Sequence, residues 1–333
     1  MKRYIFRILP WLITVIALFV AFRGVDLSLI WAHISEAKPF WLVLSILLTC
    51  SSYLIRSWRW QGLFPEHCIS FGNSARVLLL GFFMNNILPA RAGEFVRAHM
   101  GAQVTGQKRT LVLATVASER LVDGLTISLM FLCFAVGLGD DRMSHNLMYV
   151  AALFGIAALG VVGLLAMREP IFRLAERAAQ KVDHRASNYT LERFQIFING
   201  LAPLTHVARL PRIVCLSILA WSVELLVYYC VCQAFDVQLG VAYYVLLLVA
   251  VNFSSLIPAA PGGWGVIEAV GSAVLMSVGV PQELALTVVM CQHFIQYVVV
   301  GVPGALIMLT WRDRLKKIEE SEREESIQLA SQG

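Results

Sequence analysis

Charge is the scarcest commodity in this chain. Asp, Glu, Lys and Arg together make up only 15% of the 333 residues, where a soluble domain carries about a quarter. Hydrophobic residues reach 58% and the mean hydropathy is +0.70. Long runs carry almost no charge at all, and the segments between them are basic. A spanning helix needs about 20 apolar residues, so the length accommodates six to eight spans with short connections and leaves no room for a separate soluble catalytic domain. The seven cysteines include no CxxC pair and most lie in apolar runs, which excludes a disulfide framework or a zinc site. GxSxG, HExxH and GxxxxGK[ST] are all missing. Gly263-x-Gly265 follows no strand, so it is no dinucleotide fingerprint, and His67, His99, His206 and His293 show no ligand spacing. Neither a cofactor nor a metal is expected. The +5 net charge implies no nucleic-acid partner, because membrane topology accounts for it.

What is present is a set of apolar segments. Six runs are long enough to span: 8–22, 39–56, 110–137, 147–167, 212–235 and 283–310. Lys2, Arg3 and Arg7 before the first resemble the start of a signal peptide, but Phe19, Phe22 and Arg23 occupy the place of a small-x-small cleavage site. The segment is read as an uncleaved helix. Two further runs, 74–88 and 241–257, are interrupted by Pro and Gly and followed by short helical stretches at 93–104 and 264–277. Arg and Lys set the orientation. With a cytoplasmic N-terminus, the basic groups around Arg56 to Arg109, in the linker and in the tail fall inside, leaving Arg23, Lys38 and Arg142 outside. That holds if both interrupted segments are re-entrant; the alternative is eight helices with interior breaks. Non-helical backbone at membrane depth must be buried in protein or line a wet cavity.

The two interruptions look alike. Asn85-Asn86-Ile87-Leu88-Pro89-Ala90 and Ser254-Ser255-Leu256-Ile257-Pro258-Ala259 each place two polar residues, two aliphatics and Pro-Ala in order, then reach glycine. Each lies between full spans, so residues 39–137 and 212–310 read as two half-repeats of opposite orientation within one integral membrane domain, 1–333. Paired interrupted segments in inverted halves point to a site at mid-membrane. A basic linker, 168–211, joins the halves. Its Ile171, Leu174, Ala178 and Val182 share one helical face away from Arg173, Arg177 and Lys181, the pattern of a helix lying at the interface. Ser57-Trp58-Arg59-Trp60 reads as an interfacial anchor with snorkelling arginines. The tail, 319–333, is polar.

Charged residues inside apolar segments are the candidate site. Glu119, Arg120 and Asp123 would each cost about 2.5–3.5 kcal/mol at a helix centre, so they must face partners or water. Glu119 and Asp123 are spaced i,i+4 and share a face. Arg91 and Arg97, from the first interruption, match their negative charge and are suited to holding a phosphate bidentately. Gly93 permits unusual backbone angles there, and helix N-termini starting near Gly93 and Gly265 would aim positive dipole ends at the same anion. In the second interruption Pro261, Gly262, Gly263 and Gly265 prevent continuous helix. Glu268 is a lone carboxylate, placed either to cap the returning helix or to pair with an arginine.

Asn86-x-x-Pro89-x-Arg91-x-Gly93-Glu94-x-x-Arg97, Glu119-Arg120-x-x-Asp123 and Pro261-Gly262-Gly263-x-Gly265-x-x-Glu268 together resemble the signatures of the lysylphosphatidylglycerol synthase transmembrane-region family, also called flippase-like, over about residues 10–310. The resemblance implies a bacterial or archaeal cytoplasmic-membrane protein that moves, or helps move, lipids or lipid-linked head groups between leaflets. Its substrate would be an anionic phospholipid or a polyprenyl-phosphate-linked molecule. In the bifunctional synthases of this family the region precedes an aminoacyl-transferase domain. This chain ends after the tail, which argues against its making lysylphosphatidylglycerol itself. On these grounds it is expected to be an all-α polytopic membrane protein and a translocase rather than an enzyme, with both termini cytoplasmic. The alternatives are a membrane-embedded transferase acting on a lipid phosphate, with Glu94, Glu119 or Asp123 as base, and a non-catalytic partner that docks a lipid or glycan synthase through the linker.

Overall fold

The computed structural model describes residues 2–64, 68–88, 91–137, 208–254 and 260–331, with isolated positions between 156 and 206 and residue 257; for 2–8, 135–137 and 312–331 it describes the backbone alone. Ten α-helices and no strand occur among these residues. Most of the expected span 147–167 and of the 168–211 linker, together with Pro89, Ala90 and Pro258, lie outside them.

Helix α1 (Lys2–Phe22) and α2 (Leu27–Glu36) form a pair bent by 77°. Gly24 turns the chain at φ +77, and Asp26 caps α2 by accepting from the Ser28 N–H at 2.8 Å. Then come α3 (Pro39–Gln61), α4 (Phe71–Ile87), α5 (Gly93–Thr105) and α6 (Arg109–Gly137). After a 3-10 turn at Ala202–Leu204 follow α7 (Leu210–Ala234), α8 (Val241–Ser254), a 3-10 turn at Pro261–Gly263, α9 (Val266–Ser277) and the long α10 (Gln282–Ser331). Among the described residues, α3, α7 and the Gln282–Trp311 part of α10 are long and apolar enough to cross a membrane, and the bent α1–α2 pair qualifies as a fourth if counted as one span. Helix α6 has the length, about 43 Å at 1.5 Å per residue, but carries Glu119, Arg120 and Asp123 near its middle.

The molecule is apolar outside and carries its charge within. Phe19, Trp31, Phe40 and Leu306 are all more than half exposed, whereas four arginine, aspartate and glutamate positions along α3 and α6 (Arg56, Arg59, Glu119 and Asp123) are buried. Only a hydrocarbon solvent makes that distribution favourable. The main seam joins α3 to α7. On α3, Ser45, Thr49, Ser52, Arg56 and Arg59 recur at spacings of 4, 3, 4 and 3, and all are buried. On α7, Ile213, Ser217, Ala220, Glu224, Val227 and Val231 repeat the pattern and are buried too. Small hydroxylated residues let helix backbones approach closely in a membrane. Their hydroxyls bond back to their own helices, as Thr49 does to the Ser45 carbonyl at 2.7 Å.

Each interrupted segment is a helical hairpin whose two short helices pack back on each other: α4 against α5 and α8 against α9. The hairpins are held by glycine. A Cβ on Gly81 would sit 2.8 Å from the Arg97 Cβ, one on Gly93 would sit 2.1 Å from the Gly81 carbonyl oxygen, and one on Gly271 would sit 3.2 Å from Val251. Helix α10 packs on both hairpins. Helix α1 packs on α9, and the Thr14 hydroxyl oxygen accepts from the Ala260 N–H at 2.8 Å.

At the outer surface Lys38 pairs with Asp236, with both side chains more than half exposed. Exposed pairs contribute about 0–1 kcal/mol. Lys38→Ala is therefore expected to leave the thermal unfolding midpoint nearly unchanged.

Candidate functional site

The buried charges gather from four helices. Helix α6 supplies Glu119 and Asp123 on one face, as their i,i+4 spacing requires. Glu119 receives Arg97 from α5, Arg120 Nη2 at 3.1 Å and Arg59 Nη2 at 3.5 Å. Asp123 accepts from Arg59 Nη1 at 2.6 Å and from the Trp221 indole N–H at 2.9 Å, with Arg56 Nη1 at 3.6 Å from its second oxygen. Glu224 of α7 lies 3.8 Å from Arg56 Nη2 and accepts from Ser52 Oγ at 3.0 Å and Gln296 Nε2 at 2.6 Å. Arg97 also lies over the Trp60 ring at 4.0 Å and Arg56 over Trp221 at 4.3 Å, so aromatic faces supply attraction where carboxylates do not reach. Four guanidinium groups thus face three carboxylates. Glu94, 3.6 Å from Arg120 Nε, and Arg91 add one charge of each sign, so the cluster keeps one positive charge in excess.

Beside this network a cavity of about 360 Å³ opens between the two interruptions. Asn85, Asn86 and Arg91 contribute one wall and Pro261, Gly262 and Gly263 the opposite one; Arg56, Arg120, Glu224, His293 and Gln296 also reach it. The Pro261–Gly263 turn packs against α4, so the two interruptions meet, as the site reading required. Arg91 holds φ 55, a left-handed conformation uncommon for a residue with a Cβ. Among the described residues no carboxylate lies within 4 Å of its guanidinium. It is the cavity's unpaired cation.

The predicted residues divide into three groups. Asn86, Arg91, Arg120, Pro261, Gly262 and Gly263 line the cavity. Glu94, Arg97, Glu119 and Asp123 stand behind it in the ion network. Gly93, Gly265 and Glu268 shape the backbone. Arg97, expected to hold a phosphate, is 2% exposed and engaged by Glu119; it does not line the cavity. Glu268 caps α9, accepting the Gly265 N–H at 2.6 Å, and its other oxygen lies 2.6 Å from His293 Nδ1. The N-terminus of α9 is therefore filled by its own carboxylate, and Glu268 pairs with a histidine instead of an arginine. Gly265, at φ +84, packs against α1, where a Cβ would come 2.8 Å from the Thr14 carbonyl oxygen.

Sequence reasoning missed Arg56, Arg59, Glu224, His293 and Gln296. Of the expected Ser57–Trp60 anchor, Trp58 is exposed with Arg212 over its ring at 5.3 Å. Trp60 and Arg59 turn inward instead, at 0% and 1% exposure, because Asp123 and Glu119 offer Arg59 partners that lipid head groups would otherwise supply. Among the described residues no group of three His, Cys, Asp or Glu is arranged to hold a metal ion.

Comparison with known proteins agrees with this architecture. A UPF0104 membrane protein of Pyrococcus horikoshii is 23% identical over 341 residues, spanning 95% of this chain and 99% of its own. Another from Methanothermobacter thermautotrophicus is 26% identical over 284 residues, 80% of this chain and 82% of its own. No solved structure matches the chain. The profile of the lysylphosphatidylglycerol synthase TM region matches residues 7–304, a stretch that holds both hairpins and every charge of the buried network. The chain belongs to that family of integral membrane proteins.

Proposed function

We propose that the chain moves a lipid, or a lipid-linked head group, between the leaflets of a bacterial or archaeal cytoplasmic membrane, holding its phosphate in the cavity between the two hairpins. One observation carries the reading: Arg91 is a guanidinium without a carboxylate partner among the described residues, presented to a cavity between the two hairpins on backbone held in the left-handed region. Strain of that kind is kept where a site needs it. Arg120 and Arg56 line the same cavity against Glu224 alone, so its field favours an anion. A forked guanidinium matches phosphate oxygens in pairs. Asn85, Asn86 and Gln296 add neutral donors for the rest of a head group.

In this reading the α4–α5 hairpin enters from the cytoplasmic face and α8–α9 from the outer face, as the halves of an inverted repeat, with both termini cytoplasmic. Arg97, Glu119, Asp123 and Glu94 hold Arg120 and the hairpin in place. No nucleotide-binding motif is present in the sequence, so uphill movement draws on an ion gradient or on consumption of the product. The reading is tested in liposomes carrying fluorescent anionic phospholipids, followed by dithionite quenching of the outer leaflet. Wild-type protein is expected to expose the protected leaflet. A hydrogen bond to a charged group contributes about 1.5–3 kcal/mol, so Arg91→Ala is expected to slow the process at least about tenfold. Equal rates for wild type and a folded Arg91→Ala variant would end the phosphate role.

A further inference from the structure

Between the second hairpin and α10 lies a buried acid–base pair that the phosphate site does not use. His293, on α10, is 3% exposed and Glu268, on α9, 1%. Three contacts fix their state. His293 Nε2 lies 3.1 Å from the Gly262 carbonyl oxygen, and Nδ1 lies 2.6 Å from Glu268 Oε1. Glu268 Oε2 accepts the Gly265 N–H at 2.6 Å. A carbonyl oxygen only accepts, so Nε2 must carry a hydrogen. Neutral imidazole has one N–H, and it is then spent on Gly262. The contact at Nδ1 consequently needs a second proton, lying on either the histidine or the glutamate. If that proton leaves, the remaining one stays between Nδ1 and the carboxylate, and the bare Nε2 lone pair faces the Gly262 oxygen. That contact is repulsive, so the Gly262 peptide or the ring must shift.

We infer that Glu268 and His293 form a proton-binding site whose occupancy sets the position of the Pro261–Gly263 wall of the cavity. The wall has little slack. Gly262, at φ +76, is packed so that a Cβ would overlap the Tyr297 hydroxyl at 1.5 Å, and the Tyr297 hydroxyl lies 3.5 Å from the Pro261 carbonyl. The His293 ring is tilted against Trp264, with centroids 4.6 Å apart. Charged and titratable groups facing the pair are few. Tyr297 adjoins it on α10, and across the cavity Arg56, Arg91 and Arg120 oppose Glu224. A proton on the pair and an anion settling among the arginines carry opposite charge, so proton and anion binding help each other, each by the same factor. The proton site stands on its own geometry, whereas its coupling to lipid movement rests on the translocase reading.

The test is a pH titration of tryptophan fluorescence on folded, detergent-solubilised protein between about pH 5 and 9. Imidazolium quenches a neighbouring indole more than neutral imidazole, so Trp264 reports the site without any transport. Wild type is expected to show one transition that Trp264→Phe and His293→Gln both lose. Glu268→Gln keeps the acceptor for Gly265 N–H, and its amide NH2 can donate to Nδ1, so no second proton is needed and the transition is expected to be lost. A wild-type transition that survives in His293→Gln, or a flat wild-type profile, overturns the inference. In liposomes, a translocation rate that varies with pH in wild type and is flat in Glu268→Gln supports the coupling. Equal pH dependence in the two discards the coupling.

Discussion

Glu119→Ala is expected to remove most of the folded protein. The Glu119 carboxylate is met by three guanidinium groups, those of Arg59, Arg97 and Arg120, and is fully buried. Without it Arg97 keeps no carboxylate within 4 Å among the described residues, only the face of Trp60. Arg59 falls back on Asp123, and Arg120 on Glu94 and Asp123. Breaking one side of a buried pair costs about 3–5 kcal/mol, because the partner charge is left desolvated. That is a large share of the 5–15 kcal/mol or so that separates a folded domain from its unfolded state. Gel filtration and thermal unfolding of solubilised protein read the effect. Glu119→Ala should aggregate or melt well below wild type, while Lys38→Ala should not. The double variant Glu119→Ala/Arg97→Leu removes the stranded charge and should recover part of the loss, a non-additivity that marks direct coupling. A Glu119→Ala protein as stable as wild type would mean that the network contributes nothing.

Gly93→Ala should produce a defect of similar size by a different route. A methyl group there would sit 2.1 Å from the Gly81 carbonyl oxygen and 2.6 Å from the Asn85 nitrogen, both backbone atoms. Backbone in a packed hairpin does not yield as a flexible side chain does, so α5 must move off α4. Overpacking of a well-packed interior costs about 1–3 kcal/mol, sometimes more. The displacement would carry Arg91 and Asn85 with it, since they flank the contact, and Arg97 away from Glu119. Lower stability and, on the translocase reading, slower lipid movement are expected together, and a relieving substitution at Gly81 is not available because the obstacle is its carbonyl. A Gly93→Ala protein with wild-type melting behaviour would show that the hairpin is looser than the packing implies.

Parts of the site were legible in the sequence and parts were not, for identifiable reasons. The two interruptions announced themselves because Pro and Gly in an apolar run have few structural roles, and the charges of α6 stood out against Leu, Val and Ile. Glu224 sits in the same kind of run on α7 and went unnoticed, since its partners Ser52 and Gln296 are 172 and 72 positions away. Arg56 and Arg59 follow an apolar run, where topology counting assigns them to a loop; only the three-dimensional meeting of α3 with α6 and α7 shows that they point inward. The 4-3 repeat of small residues that sets this direction is present in the sequence, but hydroxyl side chains do not register as a face when only apolar periodicity is sought. His293 had no ligand spacing because its partner is a capping glutamate on another helix.

The bond between the Thr14 hydroxyl and the Ala260 N–H spans 246 positions of chain. It has a consequence for how the protein is made. The first helix is made at the outset of synthesis, yet the surface it offers to α9 has no occupant until about four-fifths of the chain has been made. Contacts of such separation form slowly. During that interval Thr14 and its neighbours face lipid or a helper protein, and the second hairpin, once inserted, must find them by lateral diffusion. Biogenesis is therefore ordered: the wall of the cavity is completed only late, so a partly synthesised chain has no closed cavity.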